Sequence, residues 1–392
     1  MMSALRDMFT KNLRQSGIVI AFVAIVVLFT ILTGGTLLDP QNVTNIVLQY
    51  SYILILAIGM LFVIVVGHID LSVGSIIAVV GAVAATMVIK MQQPWWIAVI
   101  VGLLVGIAIG AWHGFWVAYV GIPGFIVTLS GMLLFRGVTF LILGSISLSP
   151  MSPEYQQIAV GFLNGLLGGA GFDVFTLLIG VFAVAAFAFS QWRTRRARIS
   201  YEQDVESMGL FIAKIVAVAV VVMYFAWKLS VNRGFPIVLI ILAVLVLTYS
   251  FVSKSTIYGR HVFAIGGNLN AALLSGVKVK RTIFWVYVNM GLLSGIAGVV
   301  YSSRANGAQP AAGNALELDA IAACFIGGAA VTGGVGTVVG AMVGGLVMAV
   351  MTNGMQLMGV PTSIQQIVKG LVLLLAVAFD IWNKRRAASA KA

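Results

Sequence analysis

The chain has 392 residues, 61% hydrophobic and only 9% charged, with a formal net charge of +12. Soluble domains carry about 25% charged residues, so this composition excludes a soluble globular protein and specifies an integral membrane protein. The basic excess argues against nucleic-acid binding, because Lys and Arg cluster in short loops between hydrophobic spans, as the positive-inside rule expects.

A bilayer crossing needs about 20 apolar residues, and shorter apolar runs read as half-helices. Candidates in chain order are 18–33, 46–66, 72–90, 95–119, 125–143, 173–190, 210–228, 236–253, 283–303, 320–332, 335–352 and 363–382. This predicts an all-α polytopic bundle of about 10–12 spans, 1–392 forming a single transmembrane domain. The first run, Gly17 to Leu32, follows Arg6, Lys11 and Arg14 and lacks a small-residue cleavage site, so it reads as a span.

The second and third spans are joined by GHIDLSVGS, 67–75. An acid beside a membrane span is costly unless it caps a helix, pairs or meets water. Asp70 and Ser72 both suit the cap of the glycine-containing helix that follows, and both are candidates for a polar pathway. His68 and Asp70, two apart, share no helical face, so no metal site is expected.

Trp95, Trp96, Trp112 and Trp116 fit interfacial belts. Arg136 and Lys369 lie within spans and are expected to snorkel to a water interface. The Gly-rich stretch from Tyr155 to Phe172 reads as an external loop carrying a short surface helix.

Between the eighth and ninth spans lies a polar island, Ser253 to Arg281, with five Lys or Arg residues. Within it, Asn268 can cap a short helix that Gly276 can end, with Leu269, Ala272, Leu273, Gly276 and Val277 on one face. Such a helix either rests on lipid headgroups, attracted by the surrounding basic residues, or lies in a partner's groove. Periodicity alone leaves both open.

The segment 316–336, LELDAIAACFIGGAAVTGGVG, is the densest small-residue run. Glu317 and Asp319 start its helical part, where the helix dipole favours acids. Two readings stand: close helix packing, or a broken helix in which free backbone groups and both carboxylates meet solutes. The tenth run is too short to span alone and can pair as a half-helix with the eleventh around Gly333, Gly334 and Gly336. Two weak echoes, Ser72-Val-Gly-Ser75 with Gly334-Val-Gly-Thr337 and Ile122-Pro123 with Val360-Pro361, leave an internal repeat open.

The single cysteine, Cys324, excludes an intrachain disulfide. There is no G-x-x-x-x-G-K-[ST] phosphate loop, no H-E-x-x-H and no G-x-S-x-G. The chain is therefore expected to be no enzyme and to hold no cofactor or metal. Basic groups before the first span, after the sixth (Arg193, Arg195, Arg196, Arg198), in the island and after the last span (Lys384, Arg385, Arg386) fall on one side. That places both termini in the cytoplasm.

GHIDLSVGS, IPGFIVTLSGMLLFRG (122–137), AIGGNLNAALLSGVKV (264–279) and LELDAIAACFIGGAAVTGGVG, in this order and spacing, resemble the permease subunits of bacterial ABC importers for ribose, xylose and multiple monosaccharides. The resemblance implies a type II importer-like permease in the bacterial inner membrane. It would move a xylose-, arabinose-, galactose- or glucose-like monosaccharide inward by alternating access. The partners it implies are a second permease copy, a periplasmic sugar-binding protein and a cytoplasmic ATPase subunit that binds ATP-Mg. It makes 254–282 the coupling-helix loop that docks into the ATPase, with Gly266, Gly267, Asn268, Ala271, Ala272, Ser275 and Gly276 on the family's pattern. Asn270 and Leu273 depart from it, standing where Glu and Arg are common, and His113 stands where Asn is common. The competing class is a secondary transporter or channel for small polar solutes, which would need several carboxylates within its spans.

Overall fold

The computed structural model describes residues 13–389, so Arg6 and Lys11 lie outside the described residues. Among these residues ten helices are long and apolar enough to cross a membrane, and Gly17–Leu32 adds a shorter apolar helix. The helices in order are α1 (Leu13–Leu32), α2 (Pro40–Val65), α3 (Val73–Ala85, extended to Lys90), α4 (Trp95–Phe115, extended to Val120) and α5 (Gly124–Leu143). After the short α6 (Pro153–Val160) come α7 (Val174–Ser200), α8 (Met208–Asn232) and α9 (Ile237–Ser255). Two island helices follow, α10 (Ile257–Gly267) and α11 (Leu269–Leu274), then α12 (Val279–Arg304), α13 (Leu316–Ile326), α14 (Val338–Leu357) and α15 (Thr362–Ser389). Among the described residues the two short strands, β1 (Phe162–Leu163) within the α6–α7 loop and β2 (Phe235–Pro236) just before α9, pair antiparallel.

Burial sorts the spans into a core and a lipid-facing shell. The best apolar windows of α2, α3, α12 and α14 are 83%, 72%, 61% and 72% buried, whereas those of α8 and α15 are each 6% buried. A span apolar all round but buried by its neighbours is the centre of a bundle. The centre is held by small residues rather than by interlocking large ones. On α4, Gly106 and Gly110 lie against the backbone of Gly291 and Tyr287 on α12. A Cβ on Gly110 would sit 2.4 Å from the Tyr287 carbonyl oxygen, and one on Gly291 would sit 2.2 Å from that of Gly106. Backbones this close gain dispersion contacts that lipid cannot supply.

α6 is not the surface helix its sequence suggests. Tyr155 and Ala159, one turn apart, are fully buried against α12. The Tyr155 hydroxyl lies 2.8 Å from Ser302 Oγ, and the Ala159 N–H donates to Ser303 Oγ at 3.0 Å. The mild apolarity of this loop is that of one packed face, with Glu154 left exposed on the other.

The half-helix expected in the tenth run is α13, eleven residues long. It stops at Gly327 and Gly328, and an irregular segment runs from there to Thr337, which caps α14 by accepting the Gly340 N–H at 2.9 Å. α13 is zipped to α14: a Cβ on Gly344 would meet the Ala323 carbonyl oxygen at 2.0 Å. Close packing and a broken helix therefore coexist. Both echoes in the sequence fall at helix starts, those of α3, α5, α14 and α15.

Candidate functional site

Two zones gather the residues singled out by the sequence. The first is the island. Thr256 caps α10, its Oγ1 accepting the Gly259 N–H at 3.1 Å, so much of the polar stretch is itself helical. Asn268 is extended and its Oδ1 accepts the Ala271 N–H at 3.0 Å, capping α11 as its residue type predicts. Gly276, at φ +77°, closes the helix, with the Val277 N–H reaching back to the Ala272 carbonyl at 3.0 Å. The faces differ from the periodic pattern. Ala272 is buried, but Leu269 and Leu273, expected beside it, point outward, and Leu274 is 91% exposed. Six residues are too few for the pattern to fix a face, and the cap and stop set the rotation instead.

The island meets the core backbone to backbone. The Gly334 N–H, from the irregular segment between α13 and α14, donates to the Val65 carbonyl at the end of α2 at 2.8 Å. Gly266, in the last turn of α10, lies against the same bond, and a Cβ there would be 1.6 Å from the Val65 oxygen and 2.5 Å from the Gly334 nitrogen. Any side chain at 266 would separate the three segments. Gly267, Asn268, Ala271, Ser275 and Gly276 are exposed beyond this junction, leaving Gly266 and Ala272 as the inward-facing members of the set.

The second zone lies where α3 and α13 begin. Asp70 is 1% exposed, and its Oδ1 accepts both the Ser72 N–H at 2.8 Å and the Ser72 hydroxyl at 2.5 Å. Ser72 occupies the cap position of α3, but its hydroxyl is spent on Asp70, so the acid organises the turn. At the second residue of α3, a Cβ on Gly74 would stand 2.2 Å from the Gly313 carbonyl oxygen and 2.5 Å from Glu317 Oε2. The helix starts therefore meet, bringing Asp70, Ser72 and Glu317 together, with Asp70 and Arg136 in electrostatic reach of Glu317. The Arg136 guanidinium reaches the carbonyls of Pro310 and Ala312. It clasps the loop before α13 rather than snorkelling.

Asp319 turns away from this group. Its Oδ2 pairs with Lys369 Nζ of α15 at 2.9 Å, both side chains being largely buried. Lys369 is thus an intramembrane partner and not a snorkelling one, although its exposed helix gave no sign of it. All four pathway candidates are buried in this conformation, with Glu317, at 9% exposure, the least so. His113, fully buried on α4, has neither ring nitrogen hydrogen-bonded and packs beside Phe135 and Trp112 against Gly131. No group of three or more His, Cys, Asp or Glu able to hold a metal occurs among the described residues.

Near the β1–β2 pair, a depression of about 510 Å³ is lined by Asn164, Asp173, Ser230, Asn232 and Arg233, among others. Asp173 caps α7 and also accepts the Gly165 N–H at 2.9 Å. Burial pushes its carboxyl up, but the hydrogen bonds from Thr176 and Gly165 outweigh that and hold it below the usual range.

A buried bundle with a broken half-helix, paired helix starts and a protruding two-helix island defines a multi-pass membrane transport protein. Residues 42–377 match the family described as "Branched-chain amino acid transport system / permease component", and the chain belongs to that permease family. It is 42% identical over 375 residues to the xylose transport system permease protein XylH of Escherichia coli K12, covering 96% of this chain and 93% of that protein. Haemophilus influenzae XylH is 40% identical, at 96% and 98% coverage. The ribose import permease protein RbsC of Escherichia coli K12 is 32% identical over 383 residues, covering 97% and 98%. The likeness read from the four motifs to monosaccharide permeases stands with these relatives. No solved structure matches the chain.

Proposed function

We propose that the chain is the membrane-spanning permease of an ATP-driven importer for a monosaccharide of the xylose type, in the bacterial inner membrane with both termini cytoplasmic. The observation that carries this is the island. It presents a capped helix with outward Leu269, Leu273 and Leu274, and its Gly266 packs against the backbone bond that joins the end of a core span to the segment after the broken helix. An exposed apolar tip on a rigid mount suits insertion into a partner's groove. With no phosphate loop in this chain, that partner is an ATPase subunit that binds ATP-Mg. A second copy of the permease and a periplasmic sugar-binding protein complete the assembly, and the chain itself performs no bond chemistry.

In the working cycle, ATP-driven movement of the ATPase pulls the island, and the spans rock as rigid bodies so that the path opens to one side and then the other. Asp70, Ser72, Glu317 and Asp319 are the candidates for groups that such rocking uncovers, with Glu317 foremost because it is the least enclosed. The relatives' names favour a pentose or related sugar over the amino acids of the family's description.

Leu274→Asp tests the reading. The side chain is solvent-exposed, so the variant is expected to insert and keep its thermal stability. It should lose ATPase co-purification and ATP-dependent sugar uptake in proteoliposomes. Unchanged association and uptake would remove the coupling assignment. Uptake driven by a proton gradient without ATP would favour the secondary-transporter class, against which the small number of carboxylates within the spans counts.

A further inference from the structure

At the base of the island, the start of α10 and the start of α12 enclose a pocket of about 380 Å³. His261, Lys278, Arg281 and Thr282 supply its polar wall, and Tyr258 and Trp285 its aromatic one. No Asp or Glu occurs in the sequence between Glu206 and Glu317. Among the described residues, neither Lys278 nor Arg281 has a carboxylate partner. Two cations, an imidazole and a hydroxyl therefore converge on a concave site whose counter-charge is not supplied by the island.

The surroundings choose the anion. Trp285 is 48% exposed at the rim, the position an aromatic belt residue takes at the level of lipid headgroups. Along α9, Ile240, Val244, Leu247 and Phe251 recur at helical spacing and are all exposed. This apolar stripe ends just before Ile257, itself exposed on the pocket wall. A basic pocket at a membrane face continuing into an apolar stripe fits a molecule with an anionic head and a long hydrocarbon tail. A soluble anion would need the first part alone.

We propose that this pocket binds the phosphate headgroup of an anionic phospholipid, with an acyl chain lying along α9. Lys278 and Arg281 supply the charge, His261 a hydrogen bond, and Trp285 the seat at the headgroup level, while the Thr282 hydroxyl donates to the Lys278 carbonyl at 3.2 Å. The site borders Gly276, so a bound lipid braces the joint between the island and α12.

The test uses the full-length permease, purified without other proteins and stripped of lipid in detergent, and native mass spectrometry as the readout. Phosphatidylglycerol is expected to remain as a discrete adduct where phosphatidylcholine does not. Lys278→Gln with Arg281→Gln should weaken it roughly 25-fold, about fivefold for each charge near a membrane surface. Arg193→Gln with Arg198→Gln removes the same charge at residues that do not line the pocket and should leave binding within about twofold, because exposed charges outside the site are screened by salt. An equal loss in the control pair, or equal retention of the two lipids, would overturn the proposal. So would full displacement by inorganic phosphate, which would make the occupant a soluble anion. Binding gained only when an ATPase subunit is added would instead assign the cations to a protein carboxylate, and that too would overturn it.

Discussion

Lys369 shows how a single residue can be misjudged when its helix is considered alone. The apolar window of α15 is only 6% buried, and a lone cation on such a helix normally reaches for water. Here Asp319 of α13 meets it at 2.9 Å inside the protein. A buried pair adds little against a well-packed apolar replacement, but breaking one side strands the other charge. Lys369→Met is therefore expected to destabilise the detergent-solubilised protein by about 3–5 kcal/mol, and Asp319→Leu in the same chain should recover most of that loss. Thermal unfolding of the two variants measures both effects, and an equally unstable double variant would show that the pair matters for more than charge balance. The cap residue Asn268 was legible from its type and place in the chain. The partners of Arg136 and Lys369 were not, because each is joined to a segment far away in sequence.

At the scale of elements, the spans were legible because hydrophobic length is set by the bilayer, and even the half-helix α13 followed from its shortness. What escaped was the packing code. Gly102, Gly106, Gly110 and Gly114 recur every fourth residue on α4, a spacing visible in the chain that marks a face meant for another helix. The periodicity of α11 misled for the opposite reason, its six residues making less than two turns. The α4–α12 seam yields a direct expectation. Gly110→Leu must force its side chain into the Tyr287 carbonyl, and overpacking of this kind costs about 1–3 kcal/mol or more. Lowered yield of folded protein and a reduced melting temperature should follow, whereas Gly137→Leu on the open face of α5, where a Cβ meets nothing within 4 Å, should be neutral.

Across the whole molecule, the four motifs identified from sequence prove to be the joints of the fold. GHIDLSVGS starts α3, the 122–137 motif starts α5, the island carries α10 and α11, and the small-residue run breaks into α13 and the turn before α14. Three of these joints share one place, where Gly334 donates to Val65 beneath Gly266. Gly266→Ala should spare the exposed tip of α11 and so retain ATPase association, while sugar uptake per ATP hydrolysed falls. Parallel loss of both would locate the defect in folding instead.

That meeting point has a mechanical meaning. Side chains between two moving parts act as springs, since each can change rotamer and absorb part of a displacement. At Gly266, Val65 and Gly334 no side chain intervenes, so under the proposed coupling a displacement of the island would reach the core span and the segment after the broken helix with little slack. A joint of this kind would make the proposed coupling stiff at its input end, the place where a glycine matters more than any charge.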